Sequence, residues 1–265
     1  MSVVHGASAP SIAAFLAPPF GLKVHAAGLD FGGAPLFEAL DLALAPGSWT
    51  CLLGPSGVGK TSLLRLIAGL VAPWPGTAIE CGDGGPLQGR IAYMAQQDLL
   101  LPWLPAFDNV LLGARLRRER IDAAARDRAR WLLARVGLGE KLAALPAALS
   151  GGQRQRVALA RTLFEARPLV LMDEPFSALD AITRHQLQAL AAELLHGATV
   201  LHVTHDPWEA LRLADRLYVM AGAPARLGDP VVLEGEPPRD VSVPALARRH
   251  AELLALLASG RRDAA

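Results

Sequence analysis

Apolar residues recur at alternate positions near the start of the chain, at Leu22, Val24 and Ala26, and again at Leu36, Leu40, Leu42 and Leu44. A period of two marks strands that bury one face, and the glycines between them supply turns. Trp49-Thr50-Cys51-Leu52-Leu53 is instead a nearly continuous apolar run between Gly47 and Gly54, as in a strand covered on both sides. Similar short runs predict strands at 90–96, 169–172, 199–204 and 217–220. Helical spacing predicts helices over 61–70, 107–116, 123–136, 153–166, 183–195 and 207–214. In the first of these, Leu63, Leu64, Ile67 and Leu70 share one stripe and Gly69 stands near the end. Residues 72–89 are dense in Gly and Pro, which predicts a loop with at most one short strand.

Alternating strands and helices predict an α/β fold whose mostly parallel sheet is covered by helices. Residues 1–21 are small and Ala/Pro-rich and are expected to fray. The main domain is expected over 22–221, with a helical insertion at about 97–160, followed by a tail over 222–265 with a short helix. In that tail Leu246, Leu253, Leu254 and Leu257 fall at helical spacing, which predicts a helix packed on the domain.

Composition narrows the class. The chain has 265 residues, 52% hydrophobic and 19% charged, enough for a large core. A net charge of +1 gives no bulk electrostatic case for nucleic acid. Arg115, Arg117, Arg118 and Arg120 have no aromatic platform beside them and read as a solvated helix end. Cys51 and Cys81 cannot form a disulfide framework, and their use suits a reducing compartment. Mean hydropathy is high at +0.29. Yet no uninterrupted apolar stretch reaches the ~18–20 residues that cross a bilayer. The apolar segment 12–22 is broken by Pro18-Pro19 and makes a poor secretion signal.

Three motifs carry chemistry. Gly54-Pro55-Ser56-Gly57-Val58-Gly59-Lys60-Thr61, with Ser62 after it, joins a predicted strand to a predicted helix. Such a turn aims backbone N–H groups and a helix N-terminus at one anion, and so would cradle the phosphates of a nucleotide. Lys60 would add a full positive charge, and the Thr61 hydroxyl would ligate Mg²⁺. Asp173-Glu174 ends an apolar strand expected beside this loop. An acidic pair there suits divided labour, with Asp173 holding Mg²⁺ and Glu174 polarising an attacking water as general base. Between them lies Leu149-Ser150-Gly151-Gly152-Gln153, with Ser150 23 residues before Asp173. It is a second anion-binding helix start, or a Gly-rich cap with no ligand.

A phosphate loop, an LSGGQ segment and a strand ending in Asp-Glu, in this order, resemble the ATP-binding subunit of ABC transporters over about 22–221. The resemblance implies a P-loop nucleoside-triphosphatase fold with an antiparallel β subdomain and a helical insertion. It implies ATP and Mg²⁺ as ligands and a homodimer that sandwiches ATP head to tail. Ser150, Gly151, Gly152 and Gln153 would then complete the partner's ATP site. Further positions match one by one. Gln96, with Gln97 adjacent, takes the glutamine-loop place and would sense Mg²⁺ and the attacking water. Asp180, in Ser177-Ala178-Leu179-Asp180, would run along the dimer interface. His205 would contact the γ-phosphate, whereas His202 reads as a packed strand residue. Phe31, 29 residues before Lys60, takes the place of an adenine-stacking aromatic, though it also suits a core.

Leu101-Pro102-Trp103 after the glutamines resembles the importer branch for nitrate, sulfonates, taurine and thiamine precursors, with a lean toward hydroxymethylpyrimidine. The partners this implies are membrane permease subunits and, indirectly, a periplasmic or extracellular solute-binding protein. The place it implies is the cytoplasmic side of the plasma membrane. Only 45 residues follow Met220, too few for a regulatory β-barrel domain. A non-transport ABC ATPase is the alternative from another class. Repair members insert a long coiled coil and translation factors carry tandem domains, and neither pattern is present.

Overall fold

The computed structural model describes residues 17–262, with the side chains of Phe31 and of 259–262 outside the description. The strands are β1 (Leu22–Phe31), β2 (Ala34–Leu44), β3 (Trp49–Leu53), β4 (Ala78–Cys81), β5 (Ile91–Met94), β6 (Leu169–Asp173), β7 (Thr199–Thr204), β8 (Arg216–Gly222), β9 (Ala225–Leu227) and β10 (Val231–Val232). The helices are α1 (Lys60–Ile67), α2 (Ala106–Val110), α3 (Leu112–Leu116), α4 (Ala123–Arg135), α5 (Gly151–Phe164), α6 (Ala181–Leu194), α7 (Pro207–Leu213) and α8 (Pro244–Arg262).

The main sheet path runs β4-β1-β2-β9-β8-β3-β7-β6-β5. From β8 to β5 the pairings along this path are all parallel. Every residue of β3, β6 and β7 is buried, which is why these strands read as apolar runs: helices cover both faces. β1, β2 and β4 pair antiparallel at one end of this path, where the antiparallel β subdomain was expected. Separate apolar clusters fill the two sides. One holds α4, α5, α6 and α7 against the sheet, and the other holds α1 and the antiparallel strands.

Several expectations shift. Residues 1–16 lie outside the described residues, but the end of the segment expected to fray is tied in: Phe20 is buried and its carbonyl accepts from Thr199 Oγ1 at 2.8 Å. α1 stops at Ile67 because Gly69 takes a left-handed turn at φ 72°, and Leu70 is thrown out to 61% exposure instead of joining the stripe. The helix expected over 107–116 is two short ones broken at Leu111. There the buried Asn109 side chain binds Leu101 N and the carbonyls of Leu101, Leu104 and Pro105, fixing the turn that follows the glutamines. The tail helix α8 is longer than its apolar stripe, at 19 residues. It docks through buried Leu253 and through His250 stacked on Trp208 at 4.1 Å. Leu254 instead faces outward. Of the arginine group, Arg115 pairs with Asp108, and Arg117 with Glu119 and Glu165, as a solvated helix end would. Among the described residues no helix is long and apolar enough to cross a membrane.

Candidate nucleotide site

The phosphate loop curls between β3 and α1. Lys60 is 5% exposed, and its Nζ donates to the carbonyls of Gly54 at 2.7 Å and Pro55 at 2.8 Å. Burial lowers its pKa, while Glu174 and Asp173 pull it back up. A phosphate placed here would meet an ammonium already desolvated and aimed. Gly54 must lack a side chain, since a Cβ would stand 2.5 Å from the Met220 carbonyl oxygen on β8. Gly54→Ala is expected to cost about 1–3 kcal/mol through this overlap, lowering the melting temperature by roughly 3–10 °C. An unchanged melting temperature would show that the loop has room to spare.

Asp173 ends β6 and Glu174 follows it, and β6 is not paired with β3. β7 is inserted between them. The acidic pair still reaches the loop: Thr61 Oγ1, at the start of α1, donates to Asp173 Oδ1 at 3.0 Å. Burial raises the Asp173 pKa, and the Thr61 hydrogen bond opposes the rise. An acidic oxygen and a hydroxyl side by side are hard donors of the type that bind Mg²⁺ together with phosphate and water. The residues present therefore fit that ion.

The inserted strand has a use. His205 follows β7, and its Nδ1 lies 3.1 Å from Glu174 Oε1. From the other side Gln96 Nε2, just past β5, donates to Glu174 Oε2 at 3.2 Å. Gln96, not Gln97, thus meets the carboxylate. Glu174 itself adopts a left-handed backbone at φ 47°, held by its N–H to the Val203 carbonyl at 2.9 Å. That conformation is uncommon for a residue with a side chain and is found where a site demands it. Three parallel strands thus bring Gln96, Glu174 and His205 together. His202 is fully buried among Trp49, Phe176 and Glu209, with Nε2 2.8 Å from Glu209 Oε1.

The Ser150 segment stands apart from this cluster. Ser150 caps α5 reciprocally with Gln153: its Oγ accepts from Gln153 N at 3.2 Å, and its N–H donates to Gln153 Oε1 at 2.9 Å. Ser150 and Gly151 are exposed, and Ser56 and Gly57 of the phosphate loop are also open. Among the described residues no hydrogen bond joins 150–153 to the phosphate loop. Asp180 likewise caps α6 on the surface, accepting from Thr183 N at 2.9 Å. Ser62 is half-buried on α1, and Phe31 closes β1 with its side chain outside the description.

Three contacts were not foreseen. Buried Gln155 donates from Nε2 to the Pro175 carbonyl at 3.1 Å, tying α5 to the turn just after Glu174. Arg154 pairs with Asp98 at 3.0 Å, and Arg161 donates to the Leu99 carbonyl at 2.9 Å, tying α5 to the segment after Gln96. The two residues nearest Ser150 were in view in the sequence as part of the Gly152-Gln153-Arg154-Gln155-Arg156 run, but their targets are far along the chain.

A phosphate loop, a hydroxyl–carboxylate pair and a strained glutamate held between glutamine and histidine define a P-loop nucleoside triphosphatase. Residues 37–177 match the family model described as ABC transporter. The chain is 44% identical over 231 residues to an uncharacterized ABC transporter ATP-binding protein of Haemophilus influenzae, covering 83% of this chain and 91% of that protein. It is also 44% identical over 248 residues to the aliphatic sulfonates import ATP-binding protein SsuB 1 of Xanthomonas axonopodis pv. citri, covering 90% of this chain and 97% of that protein. Among solved structures it resembles the dimeric ATP-binding cassette MJ0796 bound to ADP and Pi, with TM-score 0.71 and 28% identity over 81% of this chain and 99% of that one. The chain belongs to the ABC transporter family, as its ATP-binding and ATP-hydrolysing component.

Proposed function

We propose that this chain energises import of an aliphatic sulfonate, working as an ATP-sandwich dimer beneath membrane permease subunits on the cytoplasmic face. The observation that supports the hydrolytic reading is the placement of Glu174 between Gln96 and His205, next to the Thr61–Asp173 pair. In this reading residues 54–62 hold the phosphates, and Lys60 neutralises charge there. Thr61, Asp173 and Gln96 would hold Mg²⁺, which when bound screens charge on the phosphate oxygens. Glu174 takes the proton of the attacking water, and His205 contacts the γ-phosphate. Ser150, Gly151, Gly152 and Gln153 of the partner close the site, Asp180 lies at the interface, and Phe31 stacks on adenine.

The solute class rests on relatives named as aliphatic sulfonate importers in several bacteria. Those relatives give no support to a thiamine precursor. Leu99, Trp103 and Leu116 are 58%, 69% and 75% exposed in the segment after the glutamines. Exposed apolar side chains on this stretch of chain suit docking to a permease. A solute-binding protein would deliver the sulfonate on the far side. The test is ATP hydrolysis by the chain reconstituted in vesicles with its permease and binding protein. An alkanesulfonate is expected to stimulate turnover, and hydroxymethylpyrimidine is expected to have no effect. The reverse pattern would remove the sulfonate reading and restore the precursor one.

A further inference from the structure

β1 is irregular where it matters most. Its ladder to β4 ends at the pair His25↔Ala78. Against β2 its register shifts three times, between Val24 and Ala27, between Ala27 and Leu29, and between Leu29 and Asp30. Ala26 takes a left-handed backbone at φ 48°. Opposite Asp30 stands Pro35, which has no N–H to give the ladder. Bulges of this kind re-aim the residues that follow them and leave backbone groups in need of partners.

Those partners come from the Gly/Pro-rich turn between α1 and β4. Thr77 Oγ1 donates to the Ala26 carbonyl at 3.2 Å and accepts from Gly28 N at 3.2 Å. Trp74 N donates to the Gly28 carbonyl at 3.1 Å, and Trp74 Nε1 donates to Asp30 Oδ2 at 2.8 Å. The Trp74 side chain lies against Gly28, where an added Cβ would stand 2.6 Å from Trp74 Cε3 and 3.2 Å from Trp74 Cβ. Gly28 therefore leaves the space that Trp74 fills. The turn takes over where the regular ladder gives out, and the residue it delivers is Phe31.

We propose that Trp74, seated on Gly28 and bonded to Asp30, is a positioning residue for the nucleotide base, fixing the bulged end of β1 that carries Phe31. The inference rests on the reading of Phe31 as the adenine-stacking residue. It goes beyond it by placing part of the selectivity for a base-bearing triphosphate in a turn that, among the described residues, makes no hydrogen bond to the phosphate loop.

The experiment compares binding of Mg-ATP and Mg-tripolyphosphate by calorimetry in Trp74→Ala, Trp74→Phe, Asp30→Ala, Asp30→Asn and Phe31→Ala. Loss of base stacking in Phe31→Ala is expected to weaken ATP binding about tenfold and leave tripolyphosphate unchanged, within the range that base–aromatic stacking spans. Trp74→Ala is expected to follow it at about fivefold, again for ATP alone. Trp74→Phe and Asp30→Ala each lose the Nε1 hydrogen bond and should weaken ATP about twofold. Asp30→Asn keeps an acceptor and should bind as the native chain does. If Trp74→Ala proves too unstable to titrate, Trp74→Phe and Asp30→Ala carry the comparison. Equal loss for both ligands in the Trp74 and Asp30 variants would overturn the proposal, as would no loss in them while Phe31→Ala loses ATP selectively. A Phe31→Ala chain that binds ATP natively would remove the stacking reading, and the proposal with it.

Discussion

Glu174→Gln lowers ATP hydrolysis by about 10²–10⁴-fold while leaving ATP binding intact; this is the expected result in a single-turnover assay with native chain as reference. The carboxylate has Gln96 Nε2 on one oxygen at 3.2 Å and His205 Nδ1 beside the other at 3.1 Å. Two such neighbours orient it while leaving it able to accept a proton. The glutamine variant keeps the size and the strained φ of 47°, but it cannot act as a base and presents a donor where an acceptor stood. Binding is spared because the loop that holds phosphate is built from Lys60 and backbone groups of residues 54–61. Removing a negative charge near the triphosphate also removes repulsion, so affinity should not fall. Turnover within threefold of native would take Glu174 out of the base role and move attention to His205 or to Asp173.

Ser150→Arg is expected to abolish hydrolysis at any protein concentration, yet leave the ATP affinity of a single chain unchanged. The reason is placement: Ser150 is exposed, caps its own helix, and makes no hydrogen bond to the phosphate loop of its own chain. If it meets a γ-phosphate, that phosphate belongs to another copy. Arginine also removes the helix cap, at about 0.5–2 kcal/mol, so a second variant separates the effects. Ser150→Asp caps a helix as well as serine does but sets a carboxylate against the phosphate. It should fold with native stability and still lose hydrolysis by at least tenfold, since each 1.36 kcal/mol of lost stabilisation costs tenfold. A fall in the ATP affinity of the isolated chain in Ser150→Asp would show that the segment acts within its own subunit.

The parts of the fold that the sequence made legible are those where local pattern and burial agree. The strands around Leu52, Leu171 and Leu201 are buried on both faces and show as apolar runs. The phosphate loop shows because its chemistry is contiguous. The strand order did not show. Nothing local says that β7 separates β3 from β6, or that Thr61 at the start of α1 meets Asp173 across that gap. Periodicity also ran past Gly69, because Leu70 has the right spacing and only the turn geometry removes it. Of the site, the residue types and their order were legible, and the family resemblance implied that Gln96, Glu174 and His205 meet at one water and phosphate, but no local pattern shows how they are gathered. The gathering follows from three parallel strands ending at one level. The ties of Gln155 to Pro175 and of Arg154 to Asp98 join segments 20 and 56 residues apart, beyond the reach of any local pattern.

The central claim is that a single chain holds ATP at one face and completes a second copy's site with another. Light scattering after size exclusion of Glu174→Gln, with and without ATP at saturation, tests it most directly. The expected result is a mass of 28.0 kDa without nucleotide that doubles with ATP, and a return to the single mass when Ser150→Arg is added to the same chain. A mass that stays single while ATP is bound, or a dimer indifferent to Ser150→Arg, would contradict the claim.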